Sequence, residues 1–192
     1  MPELPAMAAW RHRGARVGFE VAFLRRERSG YRVDGHSTAV QDGHAWGIRY
    51  ELTLGEDWVT RSAHVVGHSP GAVHEVRLVG DGCGRWRVDG ARAPELDGCL
   101  DADLEASACT NAFPVRRLSL GVGDEAAAPA VYVRAPALRV ERLGQKYLRL
   151  EDDGAGRQRF EYAAPAFDFS AVLTYDRFGL VVDYPGIAVR VA

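Results

Sequence analysis

The densest run of side chains that could do chemistry is GCLDADLEASACTNAFPVRRL, residues 98–118. Asp101, Asp103 and Glu105 alternate there with Ala102, Leu104 and Ala106, and this period of two sets three carboxylates on one face of a strand. Leu100, Leu104 and Ala108 also share a helical face, but no capping residue precedes them and strand is the reading adopted. A reverse turn near Thr110 and Asn111 would bring Arg116 or Arg117 back beside the acidic face; adjacent strand residues point opposite ways, so only one can join it. Paired carboxylates beside an arginine suit acid–base work, one pKa being raised by its neighbour. The plainer use of such a pattern is a solvated strand face carrying cross-strand ion pairs.

Other chemistry is sparse. His64 and His68 lie on one face of an extended strand but about 13 Å apart, too far to share a metal. Ser62 and His64 have no acidic partner in sequence, and His74 stands alone. Neither a phosphate loop nor a dinucleotide fingerprint occurs. No catalytic residue, metal ligand or cofactor is therefore assigned. The aromatic pairs Trp46 with Tyr50 and Phe167 with Phe169 read as core or as the lining of a cavity.

The elements that must position these residues are strands. Trp46, Ile48, Tyr50, Leu52 and Leu54 alternate with Gly47, Arg49, Glu51 and Thr53, and a turn at 55–57 leads into a return strand over 58–67. Similar runs are expected at 17–24, 31–40, 72–79, 85–89, 130–134, 138–142, 146–151, 158–163, 167–175, 179–184 and 187–191. Asp42-Gly43, Asp81-Gly82, Asp89-Gly90 and Asp153-Gly154 supply hairpin turns, and 123–129 reads as a surface loop. The expected class is all-β, mainly antiparallel, with little helix. Residues 46–58 and 167–179 resemble each other, which suggests similar β halves, about 17–90 and 130–192, joined by 98–118 within one domain; the identity between them is low.

Composition sets the outer bounds. A chain of 192 residues with a net charge of −2 offers no electrostatic case for nucleic acid. Lys146 is the only lysine among 24 basic residues, so the many arginines reflect overall usage before they suggest phosphate clamps. Cys83, Cys99 and Cys109 are odd in number and form no CxxC, which points to reduced thiols. The N-terminal stretch MPELPAMAAWRHRGAR carries no apolar signal region and no integral membrane segment is expected, so the reading is cytoplasmic.

The 98–118 segment resembles that of a bacterial family known by the label "putative glycolipid-binding". Gly98, Cys99, Asp101, Asp103, Thr110, Asn111, Pro114, Val115, Arg116, Arg117 and Leu118 carry the likeness, with flanking matches at 58–61, 86–90, 130–132 and 179–186. Ser107-Ala108 departs from the Ser/Thr-Pro expected there. The resemblance implies a curved β roll or half-barrel, similar in shape to bacterial lipoprotein carriers, and a glycolipid or other amphiphile as partner.

Three functions follow, in this order. In the first, an acyl chain occupies an apolar concavity lined by Trp46, Tyr50, Phe167 and Phe169, and Asp101, Asp103, Asn111 and Arg116 hold a polar headgroup at its mouth. In the second, Asp101, Asp103, Asn111 and Arg116 serve a hydrolase or isomerase acting on a small polar substrate. The third is a structural module that dimerises through its strands.

Overall fold

The computed structural model describes residues 4–192; the first three residues of the N-terminal stretch considered above lie outside them. Eight strands come first: β1 (Met7–His12), β2 (Arg16–Glu27), β3 (Gly30–Gln41), β4 (His44–Gly55), β5 (Thr60–Ser69), β6 (Ala72–Gly80), β7 (Trp86–Val88) and β8 (Ala91–Arg92). A central segment holds β9 (Asp101–Leu104) and the helix α1 (Ala112–Leu118). Then follow β10 (Glu125–Ala127), β11 (Ala130–Val133), β12 (Val140–Leu143), β13 (Lys146–Leu150), β14 (Gln158–Ala164), β15 (Phe169–Tyr175), β16 (Val181–Tyr184) and β17 (Ala188–Arg190).

Fourteen of these strands form one open antiparallel sheet in the order β10-β13-β14-β15-β16-β17-β1-β2-β3-β4-β5-β6-β7-β8. Nearly every neighbour in it is also a neighbour in sequence, which short hairpins enforce. The turns Asp42-Gly43 and Asp89-Gly90 both have positive φ at each residue, 50° and 76° in the first and 49° and 84° in the second, as the twist of a tight hairpin demands. Strands β17 and β1 join the two ends of the chain in mid-sheet, pairing Trp10 with Arg190 and His12 with Ala188.

The alternation is realised most clearly in β4, where Trp46, Ile48, Tyr50, Leu52 and Leu54 are all buried. The apolar face is not open, however. Leu96, Ala102, Leu104 and Phe113 from the central segment and Val133 of β11 pack against it together with Trp10, Tyr50 and Leu78 of the sheet. A second core joins Val115, Tyr132 and Leu143 to Tyr147, Phe160, Tyr162 and Tyr175. The large sheet therefore wraps around the central segment and contacts it from both of its ends.

Between the two cores stands a small sheet of three strands in the order β12-β11-β9, with β9 parallel to β11. Ala102, Leu104, Val131 and Val133 turn one of its faces to the first core, and Tyr132 and Leu143 turn the other to the second. This is why all four residues of Asp101–Leu104 are buried. The acidic face expected to be solvated is an interior face.

Two local readings are corrected, and one strand lies outside the expected runs. Residues 112–118 form a helix instead of returning as a strand: Pro114 falls in the first turn, where its missing N–H has no intrahelical role, and Ser119 in the left-handed region (φ 49°) ends the helix with its N–H bonded to the Val115 carbonyl. The 123–129 loop contains β10, paired on β13, and Ala128 is fully buried. Strand β1 escapes the alternation rule because Ala8, Ala9 and Trp10 are buried in succession.

Candidate functional site

The cavity on the second-core side of the small sheet has a volume of about 380 Å³, and its floor is Asp103. Strand β9 carries Asp103 into register with Tyr132 of β11, so carboxylate and phenol stand side by side. Thr110 donates its hydroxyl to Asp103 Oδ1 at 2.9 Å, and Gln145 donates its amide to Oδ2. No cation bonds this carboxylate among the described residues. Burial, with smaller contributions from Asp101 and Glu105, raises its pKa to about 6 against the pull of those two hydrogen bonds.

The walls are aromatic. Tyr162, Phe169 and Tyr184 pack on one another with ring centroids 5.9 to 6.1 Å apart, and Phe167 lies 5.5 Å from Tyr132. Buried Asn111 also lines the cavity and is fixed from behind, its side-chain amide donating to the Tyr147 hydroxyl at 3.2 Å while its backbone carbonyl accepts from Tyr175 at 3.4 Å. Three arginines line the cavity: Arg13 pairs with Asp183 at 3.3 Å and Arg134 with Glu141 at 2.7 Å, while Arg16 in the wall donates to the Glu105 backbone carbonyl at 2.6 Å.

A buried carboxylate outside the cavity holds its edge. Glu20 of β2 is fully buried and accepts from Tyr50 at 2.6 Å, from the Ser107 hydroxyl, and from the Ala108 N–H at 2.7 Å. Burial raises its pKa, and these donors oppose the shift. The turn so anchored leads directly into Thr110 and Asn111. Tyr50 can reach Glu20 because its ring lies where a side chain would begin at Gly35: a Cβ there would be 2.0 Å from the Tyr50 Cζ.

Of the eight residues singled out in the sequence, Asp103, Asn111, Phe167 and Phe169 meet at this cavity. The other four do not line it. Asp101 is held by Arg117, at 3.1 Å from Nε and 2.5 Å from Nη2, in a buried two-pronged pair. Arg116 points elsewhere, stacking 4.1 Å over Trp58, which itself stacks on Tyr31, and donating to the Phe178 carbonyl. The helix separates these adjacent arginines as a strand would, but neither reaches the cavity. Tyr50 is committed to Glu20, and Trp46 is a core residue at the border of a separate shallow depression. The apolar concavity they were expected to line is filled by the central segment.

Arg16, Gln145, Tyr132, Tyr162 and Tyr184 were not legible as site residues, since they lie on five separate stretches of chain. One signal was present: five of the seven tyrosines follow residue 130, at positions where an ordinary core would use aliphatic residues. Among the described residues no group of three His, Cys, Asp or Glu side chains could hold a metal; His64 pairs with Glu75 instead.

The family model described as "Putative glycolipid-binding" matches residues 7–190. The chain belongs to this family. It is similar to a solved structure of a DUF1089 family protein from Pseudomonas aeruginosa, with 35% identity over 90% of this chain and 92% of that one, at a TM-score of 0.76. A β-barrel-like protein of the domain of unknown function DUF1849 from Brucella abortus has a TM-score of 0.53 at 12% identity, covering 96% of this chain and 92% of that one, and shares the fold alone. A comparison with curated proteins finds no match. No helix among the described residues is long and apolar enough to cross a membrane.

Proposed function

We propose that the protein binds a glycolipid or similar amphiphile by its polar end, the sugar entering the cavity first and the acyl chain trailing over the rim. The distribution of polarity supports this orientation: the buried floor carries Asp103, Asn111 and Tyr132, whereas Phe167, 38% exposed, stands at the opening. A volume of about 380 Å³ lies in the range of small-ligand sites, roughly 300–1,000 Å³. Carboxylate and amide side chains at the base can bond sugar hydroxyls, and Tyr162, Phe169 and Tyr184 can cover the apolar faces of the ring. This reverses the arrangement expected from the sequence, an acyl chain inside and a headgroup outside.

Native mass spectrometry of the purified protein, followed by organic extraction, tests the reading. A bound species that releases a sugar-bearing lipid supports it. A ligand-free protein that also ignores alkyl glycosides at micromolar concentration contradicts it.

The raised pKa of Asp103 favours a second reading, in which the same carboxylate transfers a proton to or from a bound sugar derivative. Under that reading Asp103→Asn abolishes turnover but leaves an alkyl glycoside bound.

A further inference from the structure

Three guanidinium groups surround one cavity, and two of them have carboxylate partners. Arg13 is paired with Asp183 at the exposed rim, and the partly buried Arg134 is paired with Glu141. Arg16 differs. It lies half-buried in the wall, with its guanidinium carbon 5.7 Å from the Trp46 ring centroid. Its hydrogen bond goes to a backbone carbonyl, that of Glu105, and no carboxylate lies within 4.0 Å of it among the described residues. Burial lowers its pKa, against the more distant pull of Glu105, Tyr132, Glu20 and Tyr184. A guanidinium has five donor hydrogens in one plane, and a single carbonyl leaves most of them for another acceptor.

The carboxylates in and beside the cavity are each held by hydrogen-bond donors. Glu105 turns its carboxylate to the Ala135 N–H at 3.0 Å, Glu20 is enclosed by Tyr50, Ser107 and Ala108, and Asp103 accepts one bond on each oxygen, from Thr110 and Gln145, with lone pairs left for a ligand hydroxyl. The neighbouring cavity groups are the phenols Tyr132 and Tyr184, which can donate to an oxyanion.

We infer that the sugar taken by this cavity carries an oxyanion, a carboxylate or a phosphate monoester, and that Arg16 receives it while Asp103 accepts a sugar hydroxyl. The inference rests on the cavity being a headgroup site and names the class of headgroup: an acidic glycolipid in preference to a neutral one. Arg16 sets the preference because it is the cavity cation whose charge no carboxylate of the described residues meets within 4.0 Å.

The test is isothermal titration of the full chain with three amphiphiles of one chain length, octyl glucoside, octyl glucuronide and octyl glucoside 6-phosphate, and with inorganic phosphate. The wild type is expected to bind at least one acidic glycoside about tenfold or more tightly than octyl glucoside, the scale of a charge-assisted hydrogen-bonded pair. Arg16→Gln should bring that ratio close to one, and Arg16→Lys should retain part of it. If the glucuronide is the tighter ligand the oxyanion is a carboxylate, and if the phosphate is tighter it is a phosphate monoester. Equal binding of neutral and acidic glycosides by the wild type overturns the inference and leaves the headgroup reading standing. A ratio that persists in Arg16→Gln also overturns it. Inorganic phosphate binding as tightly as the phosphorylated glycoside refutes a sugar-borne anion, and failure of all three glycosides removes the headgroup reading itself. Should Arg16→Gln not fold, the wild-type ratio and the Arg16→Lys ratio decide.

Discussion

Gln145 donates its side-chain amide to Asp103 from the turn between β12 and β13, across 42 residues of sequence. The other donor to this carboxylate is the Thr110 hydroxyl, so Asp103 is held by two uncharged groups. Two residues earlier on the same strand, Asp101 is held by the guanidinium of Arg117. Both carboxylates are buried, and burial pushes both pKa values up. They differ in what opposes that push: a full positive charge for Asp101, neutral dipoles for Asp103. One strand thus carries a structural carboxylate and a carboxylate available to a ligand.

Asp103→Asn should stabilise the protein above pH 6. The native pKa of about 6 exceeds the ordinary value of 3.8, so the stability linked to this group is present below pH 3.8 and lost as pH rises through 6. Removing the charge restores up to about 3 kcal/mol at pH 7 to 8 and little at pH 4. Urea titrations of both proteins at pH 4, 6 and 8 check this; a variant that is less stable at pH 8 would contradict it. His12 has the opposite sense. Burial and Arg16 lower its pKa to about 4, so its contribution is lost as pH falls from 6.5, and the acid sensitivity should be steeper in Asp103→Asn than in the wild type.

Arg117→Ala and Arg116→Ala should differ although the residues are adjacent. The first leaves Asp101 buried and unpaired, at a cost of about 3–5 kcal/mol. The second removes a stacked cation from Trp58 and a bond to the Phe178 carbonyl, at about 1–2 kcal/mol. Denaturation midpoints rank them, and equal losses would refute the separation of roles.

Much of the sheet was legible, and the reasons are local. Trp46 to Leu54 alternates because one face of β4 is buried, and Asp42-Gly43 marks its hairpin because few other residues accept positive φ at both positions. The small sheet was not legible. Asp101 to Leu104 alternates like a strand with one solvated face, but the partner of β9 is the parallel strand β11, and both faces meet a core. Period two reports which side chains share a face and not what covers it. The helix was missed because Ala112 to Leu118 is only seven residues long, too short to show its period, and contains Pro114. Asp103 stood out in the sequence; Arg16, Tyr132 and Gln145 join it only through strand pairing and cannot be found by spacing.

Tyr50→Phe should cost about 1–3 kcal/mol by removing one donor from the buried Glu20. Gly35→Ala should cost a similar amount by a different route, since its methyl group would displace the Tyr50 ring. Both act on the same bond, so the double variant should lose less than the sum of the two, a result that a double-mutant cycle reads directly.

Phe167→Ala should separate binding from stability. Its ring is partly exposed at the rim and touches Tyr132 and Arg134, so folding stability should fall by about 1 kcal/mol or less. The affinity for an octyl glycoside should fall more than that for the corresponding methyl glycoside, because the lost surface meets the alkyl chain. Equal losses for both glycosides would place Phe167 against the sugar.

The orientation of the ligand is tested most directly by a crystal structure of the protein grown with an octyl glycoside. The account predicts the sugar on the cavity floor, a hydroxyl within about 3.2 Å of an Asp103 oxygen, and the octyl chain leaving past Phe167. An octyl chain against Asp103 with the sugar at the rim, or a ligand seated in the depression beside Trp46, would contradict it.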